Sequence, residues 1–394
     1  MSNPKLHIKH RSELRITHGS LWIFSNEIEN FAELKNLEKG TIVDVEIKRG
    51  ETFALAYFNS HSLIAARILT RDAEQKIDAD FFVEKISAAK NLRDKFFDKP
   101  FYRLIHSEAD FLPGLVIDRF DNVLSCQIST AGMEKLTQFL IAALEKLFPD
   151  AAIIFRNDVE ARKFEALELY IKNTKGEVAD EILIEENNLK FLANIKSGQK
   201  TGWFFDQRIN RDFISSLSKD CDVLDAFCYN GGFGLNALKN NAKSVTFIDS
   251  SQSALDQLSK NIVLNNFTQE CEIICDKVVE VLDNPEFQKR RFDIVVLDPP
   301  AFVKSKKDFA VGLKAYEKLV RLSAKLLRKN GILMLASCSH NASLSDLIAA
   351  ANDGLRKADR KARLIRTFGA GFDHPVNPAL KESEYLKSIT FLVE

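Results

Sequence analysis

Phe292-Asp293-Ile294-Val295-Val296-Leu297-Asp298-Pro299-Pro300-Ala301-Phe302 and Gly331-Ile332-Leu333-Met334-Leu335-Ala336-Ser337-Cys338-Ser339 decide the fold. Each is a short, unbroken apolar run that ends in reactive groups. This is the pattern of a strand buried on both faces in a parallel sheet. In open α/β sheets, ligands gather outside the carboxyl ends of the strands. Asp298 and Cys338 are therefore expected at such an end, on neighbouring strands.

The rhythm around these two runs supports that reading. From about residue 186 onward, strand patterns alternate with helix patterns. Strands are expected at Asp222–Ala226, Ser244–Asp249, Glu272–Cys275, Phe292–Asp298, Ile332–Cys338, Ala362–Phe368 and Ser388–Val393. Helical periodicity fills the gaps, as in Ser251–Asn265, Leu313–Arg328 and Ser343–Arg356. Alternation of this length specifies an α/β fold with a doubly wound, Rossmann-like sheet of seven strands. The last two strands are joined by a loop and suit an antiparallel edge.

Upstream the pattern differs. Thr41–Ile47, Thr52–Tyr57 and Leu63–Leu69 read as strands punctuated by Gly40 and Gly50, which makes a small all-β module. A helix follows over roughly residues 78–98. Strands at Arg103–His106, Leu115–Arg119, Val123–Ile128 and Ala152–Arg156, with a helix from Gly132 to Phe148, make a central α+β unit. The expected organisation is an all-β domain over 1–75, a central α+β domain over 76–185 and a Rossmann-like domain over 186–394.

Composition excludes several classes. With 394 residues and 45% hydrophobic content, the chain can fill several cores. No apolar run reaches the roughly 18 residues of a membrane span, and the start lacks the apolar region of a signal peptide. The six cysteines form no CxxC pair, and no histidine cluster completes a zinc site. A cytoplasmic protein with free thiols and no metal is expected. The 55 basic and 55 acidic residues balance, but the charge is patchy. Lys5, Lys9, Arg11 and Arg15 crowd the start; Lys289-Arg290-Arg291, Lys304/Lys306/Lys307 and Arg356–Arg363 form further clusters. Such faces bind phosphates, although solvated surface explains any single cluster equally well.

The first Rossmann-like strand runs into Asp225-Ala226-Phe227-Cys228-Tyr229-Asn230-Gly231-Gly232-Phe233-Gly234. Glycines after a first strand let the backbone approach a ligand closely. Asp249 ends the next strand, where a carboxylate accepts from both hydroxyls of a ribose. Asp276 follows the third strand and can face an adenine amino group. A dinucleotide would set its pyrophosphate at the helix start, where Asp225 repels it. A cofactor with an amino-acid tail and no phosphate fits better, because Asp225 can pair with its ammonium group. S-adenosylmethionine has that description.

The turn Asp298-Pro299-Pro300-Ala301-Phe302 resembles the (Asp/Asn)-Pro-Pro-(Tyr/Phe) turn of nucleobase-modifying methyltransferases. Pro299 and Pro300 stiffen the backbone, and Phe302 can stack on a planar base. Cys338 narrows the target. Methylation of an amine needs no cysteine, whereas carbon 5 of a pyrimidine becomes nucleophilic only after a thiolate adds to carbon 6. A lowered thiol pKa is then required, with Lys304, Lys306 or His340 as candidate causes.

Taken together these motifs resemble the bacterial 23S ribosomal RNA (cytosine-5) methyltransferases of type I, class I enzymes with an N-terminal PUA domain. Glu108–Arg119 is similar to their central-domain signature and Gly198–Arg208 to the segment before their catalytic core. Asp225–Phe233 is similar to their cofactor loop. Asp298–Phe302 and Ser337-Cys338-Ser339 are similar to their catalytic pair, and Asp373-His374-Pro375 to their C-terminal segment. The likeness runs through nearly the whole chain. Asn230 stands where the family commonly has Thr, and His18–Phe24 is the main likeness to a PUA opening turn. As in that family, no second cysteine stands in the Asp-Pro-Pro turn.

The resemblance implies S-adenosylmethionine contacts at Gln207, Arg208, Asp225, Phe227, Tyr229, Gly231, Gly232, Asp249, Asp276 and Asp298. It implies Cys338 and Asp298 as the catalytic pair, Pro299, Pro300, Phe302 and Lys304 as substrate contacts, and ribosomal RNA as partner. The same fold also admits methylation of guanine or an exocyclic amine, or an RNA-binding module with a vestigial cofactor site. The oligomeric state is left open, a homodimer included.

Overall fold

The computed structural model describes residues 3–196, 198 and 202–394. Within the Gly198–Arg208 segment, Gln199, Lys200 and Thr201 lie outside the described residues. The chain forms two compact units. One comprises Met1–Ile182, Ala193–Phe205 and Phe372–Ser383; the other comprises Leu183–Leu192, Asp206–Gly371 and Glu384–Glu394.

The first unit holds two sheets. Strands β1 (Lys5–His7), β2 (Trp22–Ile23), β3 (Thr41–Lys48), β4 (Glu51–Phe58) and β5 (Ala66–Thr70) pair in the order β1-β3-β4-β5-β2. The expected third strand starts later than Leu63, which is 81% exposed. β1 and β2 are too short to show alternation in sequence. The second sheet runs β10-β9-β8-β7-β6, with β6 (Phe101–His106), β7 (Leu115–Phe120), β8 (Val123–Ile128), β9 (Ala152–Asn157) and β10 (Tyr170–Lys175). The helix Ala79–Arg93 starts at Asp78, whose carboxylate accepts from the Asp80 and Phe81 amides. It buries Phe81, Phe82 and Ile86 against Leu104, Ile117 and Leu140. Tyr57 joins the two sheets by donating its hydroxyl to the Pro113 carbonyl, 3.0 Å away.

Arg93 is fully buried in this unit. Its guanidinium binds both oxygens of Asp110 at 2.6 and 2.7 Å and the Asp373 carbonyl at 2.8 Å. The Arg103 amide donates to the Asp373 carboxylate at 2.9 Å. Asp373 also holds His374 Nδ1 at 2.8 Å.

A two-stranded ribbon follows, β11 (Ile182–Glu186) with β12 (Leu189–Ala193). The second unit is then built on seven strands: β13 (Asp222–Ala226), β14 (Ser244–Asp249), β15 (Glu270–Cys275), β16 (Phe292–Leu297), β17 (Leu327–Ser337), β18 (Ala362–Phe368) and β19 (Lys387–Val393). Their order is β15-β14-β13-β16-β17-β19-β18. β13 to β17 are mutually parallel, and β19 runs antiparallel to both β17 and β18. The antiparallel edge expected from sequence is present. β16 and β17 are central, with Ile294, Val295, Val296, Leu297, Leu333, Leu335 and Ala336 at 0–1% exposure. The two ends of this sheet differ in chemistry. At the amino ends, Arg328 bridges Asp222 at 2.8 Å and Asp293 at 2.7 Å, a closed ion pair network. The carboxyl ends carry the groups described next.

Candidate active site

Asp298 directly follows β16 and Cys338 directly follows β17. The strands pair in register with Leu297 opposite Leu335, so both residues leave the sheet at the same edge. Asp298 is held by Gln207, whose Nε2 donates to Asp298 Oδ1 at 2.9 Å. Gln207 is itself fixed by Asn210, whose amide donates to its carbonyl oxygen at 2.7 Å. Both supporting residues are buried.

The two strand ends are tied together by hydroxyls. Tyr316, on the helix Phe309–Leu326, is fully buried and lies 2.7 Å from Ser337 Oγ and 2.9 Å from Ser339 Oγ. Ser339 Oγ also accepts the Val303 amide at 3.1 Å. The turn after Asp298 is thereby bonded to the residues on either side of Cys338. Phe302 packs its ring on Tyr316 with centroids 4.9 Å apart. Pro299 is buried, whereas Pro300 and Lys304 are exposed.

The glycine loop wraps the end of β13. Phe227 and Tyr229 take positive φ values of 65° and 51°, and Gly231 takes 90°. A side chain at Gly231 would also place Cβ 2.3 Å from Leu258 Cδ1, so only glycine fits this turn. Asp249 accepts the Tyr229 amide and the Ser251 amide, each at 2.9 Å, which fixes its carboxylate at the edge of the loop. Asp276 is exposed beyond β15 and accepts the Lys277 amide.

Asp225 is a buried acid with an incompletely matched carboxylate. It is fully buried, and one carboxylate oxygen accepts the Gly234 amide at 2.8 Å. The other oxygen has no hydrogen-bond partner among the described residues. Burial, together with the nearby Asp298 and Asp249 charges, pushes its pKa up to about 7. A buried acid with an unmatched oxygen beside a glycine loop suits a ligand ammonium, because the cation supplies what the fold withholds. The site therefore fits a cofactor with an amino-acid tail and a ribose.

Arg208 is paired with a buried acid. Its Nε lies 3.2 Å from Glu186, which also binds Arg211 at 2.6 Å, and Glu186 is buried on β11. The sequence pattern did not single out Glu186, Asn210, Tyr316 or Lys387. Lys387 begins β19 opposite Ser337, and its Nζ donates to the Ser339 carbonyl at 2.9 Å. Only the pairing register of an antiparallel strand brings it there. Among the described residues no cluster of His, Cys, Asp and Glu could hold a metal ion, and no helix is long and apolar enough to cross a membrane.

The basic clusters differ in their ion pairing. Lys5 is paired with Asp44 and Glu46, and Arg15 with Glu27. Lys289 and Arg290 are paired with Glu286 and Glu272. Lys304, Lys306 and Lys307 are exposed and have no ion-pair partner among the described residues.

A seven-stranded sheet of this order, with a glycine loop and a row of acids at its carboxyl ends, defines the S-adenosylmethionine-dependent methyltransferases. Comparison with solved structures agrees on the fold. A candidate methyltransferase from Streptococcus mutans superposes with a TM-score of 0.82 at 20% identity, covering 99% of this chain and 100% of that one. A second candidate methyltransferase, solved in complex with SAH, reaches 0.85 at 20% identity with the same coverage. Residues 6–71 match the PUA-like domain family, and residues 209–359 match the family described as conserved hypothetical protein 95. Among curated proteins, Ribosomal RNA large subunit methyltransferase I of Pseudoalteromonas atlantica is 35% identical over 93% of this chain and 94% of its own length. That of Aliivibrio fischeri is 37% identical over 93% of each. The chain belongs to the ribosomal RNA large subunit methyltransferase I family.

Proposed function

We propose that the protein methylates carbon 5 of a cytosine in large-subunit ribosomal RNA, using S-adenosylmethionine and a covalent bond from Cys338. The observation that carries this reading is the placement of Cys338 and Asp298 at the ends of adjacent strands, beside a loop suited to an amino-acid tail.

Asp225 would hold the cofactor's ammonium, and Asp249 its ribose. Bound there, the cofactor supplies an electrophilic methyl group. The chain's own residues make the cytosine ready for it. The base stacks by Phe302 after leaving its neighbours. Cys338 adds to carbon 6 as a thiolate, which moves electron density to carbon 5. Asp298, steadied by Gln207, hydrogen-bonds the ring nitrogen side and stabilises that charge distribution. After carbon 5 is methylated, a base takes its proton and the thiolate departs, restoring the aromatic ring. Cys338 is thus regenerated.

The deciding experiment uses RNA that carries 5-azacytidine in place of cytidine. Nitrogen at position 5 has no proton to lose after methylation, so the Cys338 bond persists. A protein–RNA adduct stable in detergent, and lost in Cys338→Ala, is expected. An enzyme acting on guanine or an amine gives no adduct, and a vestigial module binds no cofactor.

Lys304, Lys306 and Lys307 follow the Asp-Pro-Pro turn and are proposed to contact RNA phosphates. Replacing all three with alanine is expected to reduce the slope of log Kd against log salt by about 2, since each single-strand phosphate contact contributes about 0.7. Filter binding at several salt concentrations reads this directly. An unchanged slope places the RNA elsewhere.

A further inference from the structure

We propose that Lys387 is the positioning residue that keeps Cys338 in its thiolate form. The inference rests on the reading of Cys338 as the nucleophile and assigns a role to a cation beside it.

The geometry comes from the strand register. β19 runs antiparallel to β17 with Lys387 opposite Ser337. Its ammonium reaches over the strand end and donates to the Ser339 carbonyl at 2.9 Å. The anchored cation therefore spans residues 337 to 339, with Cys338 between them. The two groups interact electrostatically, and a Cys338 thiolate favours the charged form of Lys387. By reciprocity the ammonium favours the thiolate.

Other groups face the same place. Burial disfavours the Lys387 ammonium, while Glu384 supports it. The Tyr316 hydroxyl lies within the same hydrogen-bonded cluster, and burial raises its pKa, so it stays neutral. His340 packs on the Tyr385 ring at 5.8 Å, and the Tyr385 hydroxyl donates to Asp206. Asp298 stands at the neighbouring strand end, and a carboxylate so placed works against a nearby thiolate. Among the candidates named from sequence, Lys304 and Lys306 are exposed, and a solvated cation is screened. Lys387 is half-buried, where its field reaches further. When the thiol ionises, its proton passes to solvent and the ammonium remains protonated.

Iodoacetamide alkylation of the full-length protein tests this without RNA or cofactor. The rate is followed against pH at the Cys338 peptide by mass spectrometry, so that Cys275 and the other thiols do not contribute. Lys387→Gln retains a donor for the Ser339 carbonyl but no charge. It is expected to raise the alkylation midpoint by on the order of one pH unit, slowing the reaction about tenfold at pH 7. Lys387→Arg retains the charge and should keep the midpoint. Lys387→Met gives the same shift as the glutamine variant and serves if that one does not fold. An unmoved midpoint in a folded, uncharged variant overturns the proposal. Equal shifts in the glutamine and arginine variants also overturn it, because packing rather than charge would be responsible. Failure of the azacytidine adduct would remove the proposed chemistry and leave this thiol measurement intact.

Discussion

Cys338→Ala is expected to abolish methyl transfer, with a loss of about 10⁴-fold or more, while cofactor affinity stays within a factor of two. The size follows from the chemistry. Carbon 5 of cytosine is a poor nucleophile until carbon 6 carries an added group, and no other residue at this sheet edge supplies one in the proposed mechanism. Alanine should be tolerated, since Cys338 is only partly buried and lies just beyond the end of β17. Its neighbours Ser337 and Ser339 keep their bonds to Tyr316 without the thiol. Transfer of labelled methyl groups to ribosomal RNA, with calorimetric binding of S-adenosylhomocysteine in parallel, checks both halves. Full activity in the alanine variant would redirect the reaction to a ring nitrogen or an exocyclic amine.

Asp225→Asn should act in two directions. Cofactor affinity is expected to fall by more than about 100-fold, because removing one partner of a buried charge pair costs about 3 kcal/mol. The empty protein should nevertheless become more stable at alkaline pH. In the unfolded chain this carboxyl titrates near 3.8, and in the folded protein near 7. Between those values the folded state binds more protons than the unfolded state, so stability falls as pH rises and stays low above 7. A carboxyl raised that far destabilises the folded state by at most about 4 kcal/mol once it is ionised. Asparagine does not ionise and lacks this decline. Thermal unfolding at pH 5 and pH 8 should show the variant gaining on the wild type at the higher pH. A difference that does not change with pH would show that burial of the charge is not the cause.

The strand ends proposed to carry the site were legible because β16 and β17 contain short apolar runs rich in β-branched residues and leucine, bounded by turn residues. The glycine loop proposed to hold the cofactor was visible from its glycines and from the spacing of acids along successive strands. β10 was not, because its residues Tyr170–Lys175 lie at a mostly exposed edge and show no apolar alternation. Glu186, which holds Arg208 and Arg211, was hidden with β11 for a related reason: the strand is short and only partly buried. Lys387 was hidden by distance along the chain. Its position depends on the pairing of β19 with β17, and the expected strand began one residue later, at Ser388. The basic residues near the start suit either phosphate contact or solvated surface from sequence, and the fold shows Lys5 and Arg15 paired with acids of their own module. Charge counted along a sequence does not distinguish these cases.

The return of Phe372–Ser383 to the first unit bears on how the protein is made. A ribosome delivers the chain from its amino end, so Arg93, Arg103 and Asp110 emerge long before Asp373. Until then the Arg103 amide lacks its native acceptor, and Arg93 has Asp110 without the Asp373 carbonyl. The first unit thus receives its last piece only after the sheet of the second unit has been synthesised through β18. Synthesis order and folding order diverge at this point. The amino-terminal unit begins to emerge first, and its final closure waits for residues 372–383.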